Sequence, residues 1–166
     1  MDIREQLPEI TGTLEAYVVD DAGNEVLVHR FRNTVVAGMY THLWDLLAND
    51  DYLGDASLFA LGDDATPTDF DDTGLGNLLY QQATDSAVRT SYRLTVTTTM
   101  EKLSGNGNTY YEAGCFVRWI QVGALSGTYR MIARAVFRDP EGAILGIEKN
   151  GQRILFRWHF DREGLV

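Results

Sequence analysis

Five aspartates crowd one short stretch of this chain: Asp63, Asp64, Asp69, Asp71 and Asp72, within LGDDATPTDFDDTG. Carboxylate oxygens are the hard ligands that calcium takes, so a cation is the first chemistry to consider here. The spacing departs from the EF-hand loop, which needs a central glycine and a terminal bidentate glutamate. Aspartates also form turns and cap helices, and a solvated loop is favoured over a metal site. Other reactive constellations are weaker still. His29, His42 and His159 stand in unrelated contexts, and no serine occupies a Gly-x-Ser-x-Gly turn. No close pair of His or Cys suggests zinc. Neither Gly74-Leu75-Gly76 nor Gly105-Asn106-Gly107 has the strand-to-helix setting of a phosphate cradle. No catalytic residue, metal or cofactor is therefore expected.

Cys115 is the single cysteine, so it forms no disulfide within the chain. Its alternation with Ala113, Val117 and Trp119 places it on a strand as a buried thiol, and burial among apolar groups disfavours the thiolate. The aromatic side chains Tyr17, Tyr52, Tyr92, Tyr110, Tyr111, Trp119 and Trp158 are numerous enough for a glycan-binding surface. Most fall where strand alternation would bury them, which favours core packing; Tyr110 and Tyr111 are the ones whose loss would test a host-surface glycan.

Charge is distributed unevenly. The chain has 166 residues and a net charge of −10, which argues against a duplex nucleic-acid partner held through phosphates. Between Asn33 and Val88 there is no Lys or Arg, while ten aspartates fall between Asp45 and Asp85. From Arg89 onward basic residues recur on strand-like segments, among them Arg93, Arg118 and Arg134. Such asymmetry suits head-to-tail contact between identical subunits, with a solvated acidic face as the equal alternative. The candidates for an assembly interface are therefore Asp63, Asp64, Asp69, Asp71 and Asp72 on one side and Arg93, Arg118 and Arg134 on the other. No stretch approaches the roughly 18 apolar residues of a membrane span. The N-terminal MDIREQLPEITG lacks the regions of a signal peptide, so synthesis in soluble form is expected.

These residues must be positioned by strands and one helix. After a mobile leader over residues 1–12, Thr13 to Asp20 and Glu25 to Phe31 read as two arms of a hairpin around Asp21-Ala22-Gly23-Asn24. The period then changes to three and four through Val36, Met39, Tyr40, Leu43, Leu46 and Leu47. Asn33 or Thr34 is placed to cap this helix, which ends near Asn49; His42 and Asp45 are expected to face solvent. Leu58 to Leu61 reads as a buried strand ending at Gly62. The acidic loop then projects and returns by Leu75, Leu78 and Leu79.

Val88 to Leu103 alternates as one long strand, with Thr109 to Val122 as its hairpin partner. Tyr129 to Arg138, Ile144 to Glu148 and Arg153 to Phe160 follow as strands, separated by turns at Asp139-Pro140-Glu141-Gly142 and Asn150-Gly151. Many strands and one helix predict a mainly β fold, an antiparallel β-sandwich with one amphipathic α-helix packed on or beside it. Residues 13–166 form a single domain.

Three segments together resemble the small tail-associated structural proteins of tailed bacteriophages, in the tail-fibre, tail-collar and baseplate group. The first is Arg32-Asn33-Thr34-Val35-Val36 running into the helix that ends at Leu46-Leu47. The second joins Ala60-Leu61-Gly62-Asp63 to Thr66-Pro67-Thr68 and Asp72-Thr73-Gly74-Leu75-Gly76-Asn77. The third is Glu112-Ala113-Gly114-Cys115-Phe116, followed by Ala133-Arg134-Ala135-Val136-Phe137. At Asn77-Leu78-Leu79-Tyr80-Gln81 the chain departs from the Glu and Arg that relatives carry after the return leucine. The resemblance implies a non-enzymatic virion component in the tail region that assembles as a symmetric ring or trimer and contacts other virion proteins. A head fibre or capsid decoration protein is the nearest alternative, and a carbohydrate-binding module is the alternative from another class.

Overall fold

A computed structural model describes residues 10–48, 52–90, 92–121 and 128–162. Eleven strands and one helix follow in the order β1 Ile10–Val19, β2 Glu25–Val35, α1 Ala37–Ala48, β3 Tyr52–Gly62, β4 Leu78–Ala83, β5 Ser86–Arg89, β6 Arg93–Met100, β7 Thr109–Tyr110, β8 Glu112–Gln121, β9 Thr128–Val136, β10 Ile147–Glu148 and β11 Arg153–Arg162. Nine of the strands make one antiparallel sheet in the order β4-β3-β8-β9-β2-β1-β11-β6-β5, and β7 pairs with β10 apart from it.

That sheet curls into two facing layers. The long β2 belongs to both, pairing with β1 through Glu25–Asn33 and with β9 through Thr34 and Val35. At the far end, the terminal strands β4 and β5 are successive pieces of one segment, divided only by Thr84 and Asp85. The Thr84 amide donates to Ser57 O at 3.1 Å and the Asp85 amide to Thr97 O at 2.8 Å, so this segment steps from one layer to the other. Gln82 Nε2 donates to Thr99 O at 2.9 Å and the Thr99 amide to Asp85 Oδ2 at 2.7 Å, drawing the two sheet ends together.

Between the layers the core is aromatic. Phe59 of β3 meets Phe156 and Trp158 of β11 at centroid distances of 4.8 and 6.3 Å, and Phe31 of β2 stacks on Phe137 at 4.5 Å. Cys115 is fully buried in the same cluster. Burial pushes its thiol pKa up to about 12, so it packs as a small apolar group and not as a nucleophile.

The expected hairpin turns form at Gly23, Gly142 and Gly151, each with φ near +85° to +88°, a conformation that glycine adopts without penalty. Other expectations change. Ile10–Gly12, expected within a mobile leader, pair with β11; residues 1–9 lie outside the described residues. Val88 to Leu103 is not one strand: it is divided between β5 and β6, which pair antiparallel with each other. Nor does Thr109 to Val122 pair with it. β6 lies between β11 and β5, β8 lies between β3 and β9, and the Ser104–Asn108 loop is a crossover between layers. Alternation gives each strand its faces but not its neighbour, since any two half-buried strands satisfy the same pattern.

The helix packs on β9 and β3, as its wide apolar stripe requires. A Cβ on Gly38 would stand 2.1 Å from Met131 O, so the helix approaches β9 to backbone contact. His42 is buried rather than solvent-facing, and the side chain of Asp45 lies outside the described residues. Asn33 and Thr34 belong to β2 instead of capping the helix. The Ala37 amide at the helix start donates to Phe70 O at 2.7 Å, so a carbonyl of the acidic loop satisfies this helix-end donor.

Candidate functional site

The acidic loop does not project. It folds back over the outer side of β8 and β9, where Arg134 would otherwise face solvent. Arg134 is 3% exposed and Glu112, on the neighbouring strand, is 0% exposed. Arg134 Nε donates to Glu112 Oε2 at 2.8 Å, and its Nη1 donates to Asp72 Oδ2 at 3.0 Å. Asp64 Oδ2 lies 3.6 Å from Nη2.

Glu112 also accepts backbone amides from both limbs of the loop: Asp64 at 3.4 Å, Gly76 at 3.3 Å and Asn77 at 3.2 Å. Asn77 Nδ2 closes the root of the loop on Asp63 Oδ1 at 2.6 Å. Three carboxylates therefore converge on one guanidinium. Burial alone would lower the Arg134 pKa, but bonds from Asp72 and Glu112 raise it, fixing the cation. Among the described residues no group of three or more His, Cys, Asp or Glu is placed to hold a metal ion.

The remaining expected site residues are dispersed. Asp69 accepts the Asp71 amide at 2.9 Å, and the Asp69 amide donates to Asp72 Oδ2 at 2.8 Å, so Asp69 and Asp71 shape an exposed turn. Arg93 makes a two-bond pair with Asp161, at 2.6 and 2.9 Å, on the opposite layer. Arg118 is exposed on β8, in register with Asp55 of β3. Of the eight residues, the fold brings together Asp64, Asp72 and Arg134. Leu75 packs toward Gly114, but Leu78 and Leu79 are 51% and 39% exposed and do not dock the return. Tyr110 is fully buried with its hydroxyl donating to Gly105 O at 2.9 Å, which removes it as a glycan platform.

A second polar cluster escaped sequence reading. On the outer face of β1 and β11, Glu15 accepts from Tyr17 Oη at 2.5 Å and from Arg30 Nε at 2.8 Å. His159 bridges Glu15 Oε2 at 3.1 Å and Thr95 Oγ1 at 3.0 Å through its two ring nitrogens. Burial raises the Glu15 pKa, yet bonds from Tyr17, Arg30 and His159 outweigh it and hold the carboxyl at about 2. Arg157 lies over the Tyr17 ring at 4.8 Å and donates to Glu25 at 2.8 Å.

Thr95, His159 and Glu15 thus form a hydrogen-bonded line beside a cleft of about 540 Å³. An acyl-transfer reading would also need backbone donors aimed at an oxyanion. Here β1 and β11 are flanked by strands on both sides, and their amides serve the ladders. The line is a ladder of side chains across registered strands, with Thr95 opposite His159 and Glu15 opposite both Arg157 and Arg30. Only the strand order could have revealed it.

A larger cleft, of about 800 Å³, lies between the Arg30–Thr34 part of β2 and the Asp139–Gly142 turn, with Pro67 and Thr68 on its rim. Arg30, Arg32 and Arg138 line it. Large apolar side chains are also exposed, most conspicuously the consecutive Val26, Leu27 and Val28 at 62%, 42% and 41%. No helix among the described residues is long and apolar enough to cross a membrane. Comparisons with protein-family models, curated proteins and solved structures find no match to this chain.

Proposed function

We propose that this protein is a non-enzymatic structural component of a bacteriophage virion, placed in the tail region and acting through symmetric assembly. The supporting observation is how side chains are used. The clustered charges form pairs within the chain, while large apolar side chains stand exposed on strands at Val26-Leu27-Val28 and Leu78-Leu79. Exposed apolar groups framed by charge are the chemistry of a protein contact. The tail assignment rests on the resemblance of the three sequence segments, and the fold is compatible with it: Ala60-Leu61-Gly62 ends a core strand, and the Asp72-to-Asn77 return is fastened to Glu112.

Light scattering coupled to size exclusion tests the assembly. An oligomer is expected at micromolar concentration, and detection of the chain in purified particles is expected for the virion assignment. A folded monomer at all concentrations, absent from particles, overturns the proposal.

A further inference from the structure

Along Glu25–Arg32, β2 is paired on one side only. β1 takes up Glu25–Asn33, whereas β9 takes up only Thr34 and Val35. Among the described residues no strand covers the other edge, where Val26, Leu27 and Val28 are exposed. Such an edge is a template for another strand.

The charge on this hairpin is polarised. Its tip carries Asp20, Asp21 and Glu25, and the far end of β2 carries Arg30 and Arg32. Just past that far end lies the cleft of about 800 Å³ lined by Arg30, Arg32 and Arg138.

We propose that a second copy of this chain pairs on this edge, the two β2 strands running antiparallel about a two-fold axis between Val28 and His29. This inference rests on the assembly reading and gives it a two-fold contact, in place of the head-to-tail one expected from the charge asymmetry. The β-bulge at Val28 makes the register work. The β1–β2 ladder passes from Ala16 opposite His29 to Tyr17 opposite Leu27, skipping Val28 and reversing the alternation. Glu25 and Leu27 therefore share a face with Arg30 and Arg32, through their partners Val19, Tyr17, Glu15 and Thr13.

In the antiparallel register Glu25 stands opposite the partner's Arg32, and Leu27 opposite the partner's Arg30. The acidic tip of each copy reaches the arginine-lined cleft of the other. A parallel pairing would set arginine against arginine. Glu25 now holds Arg157 in a surface pair, which exchanges at little cost.

The test uses the full chain and its variants, with circular dichroism confirming each fold. Arg32→Glu and Glu25→Arg are each expected to raise the dissociation constant by at least about tenfold, since like charges then face each other. The double reversal is expected to restore it. A variant carrying both Glu25→Cys and Arg32→Cys is expected to form a disulfide-linked dimer on mild oxidation. Within one chain these positions are about 23 Å apart on an extended strand, too far to bridge. Assembly that ignores both charge reversals and gives no such crosslink overturns this interface and leaves the assembly reading standing. A monomer at every concentration overturns both.

Discussion

Arg134 and Glu112, twenty-two residues apart on adjacent strands, meet at 2.8 Å beneath a loop that supplies the rest of their partners. Glu112 accepts from three loop amides in addition to the guanidinium, and Arg134 donates to Asp72 in addition to Glu112. The pair is thus the anchor of the acidic loop, not an isolated ion pair. Burying two charges is tolerable because each keeps several hydrogen-bond partners.

Arg134→Met removes the cation and leaves Glu112 buried with uncompensated charge. A loss of about 3–5 kcal/mol in unfolding free energy is expected from urea titration. Limited proteolysis of the folded variant is expected to cut within residues 63–76. Replacing Arg134 and Glu112 together by apolar residues is expected to cost less than Arg134→Met alone, because no lone charge remains.

Gly62→Ala tests the root of the same loop. A Cβ there would lie 2.3 Å from Asn77 O and 2.4 Å from Glu112 Oε1, so the loop and its anchor must separate. A destabilisation of about 1–3 kcal/mol is expected by thermal or urea unfolding, the range for overpacking a closed site. A variant as stable as the parent would mean that the loop root yields freely.

Glu15 sets an acid limb in the stability profile. Its folded pKa of about 2 lies below its reference value of 4.5, so the unfolded chain takes up the proton first as pH falls. The contribution is complete above pH 4.5 and is lost progressively toward pH 2, at a scale of about 3 kcal/mol. Glu15→Gln is expected to flatten that limb in urea titrations across this window. An unchanged slope would show that Glu15 does not carry it.

Cys115 reports on opening of the core. With its thiol buried and its pKa near 12, the native protein is expected to react with a thiol reagent only as fast as the sandwich opens. Labelling should accelerate in urea in step with unfolding measured by tryptophan fluorescence. Rapid labelling in buffer would refute the burial.

Phe59→Ala removes a ring shared by Phe156 and Trp158 across the two layers. A cost of about 3–5 kcal/mol is expected, because neither layer can close a void held open by the opposing sheet.

Period and punctuation are local properties, and the chain alone determined what depends on them. Alternating strands, one helix with a three-four period, glycine turns at Gly23, Gly142 and Gly151, and a buried Cys115 all follow from neighbours within a few residues. The mainly β sandwich was legible for that reason. Partnership was not legible, because hydrogen-bonded ladders are indifferent to side-chain pattern beyond the faces. Only the tertiary fold placed β6 beside β11 and made β4 and β5 the two ends of one curled sheet. It also turned an apparently projecting Asp-rich loop inward onto Arg134. An aspartate written in sequence carries no mark of which cation it will face; the strand order that set Glu112 beside Arg134 decided it.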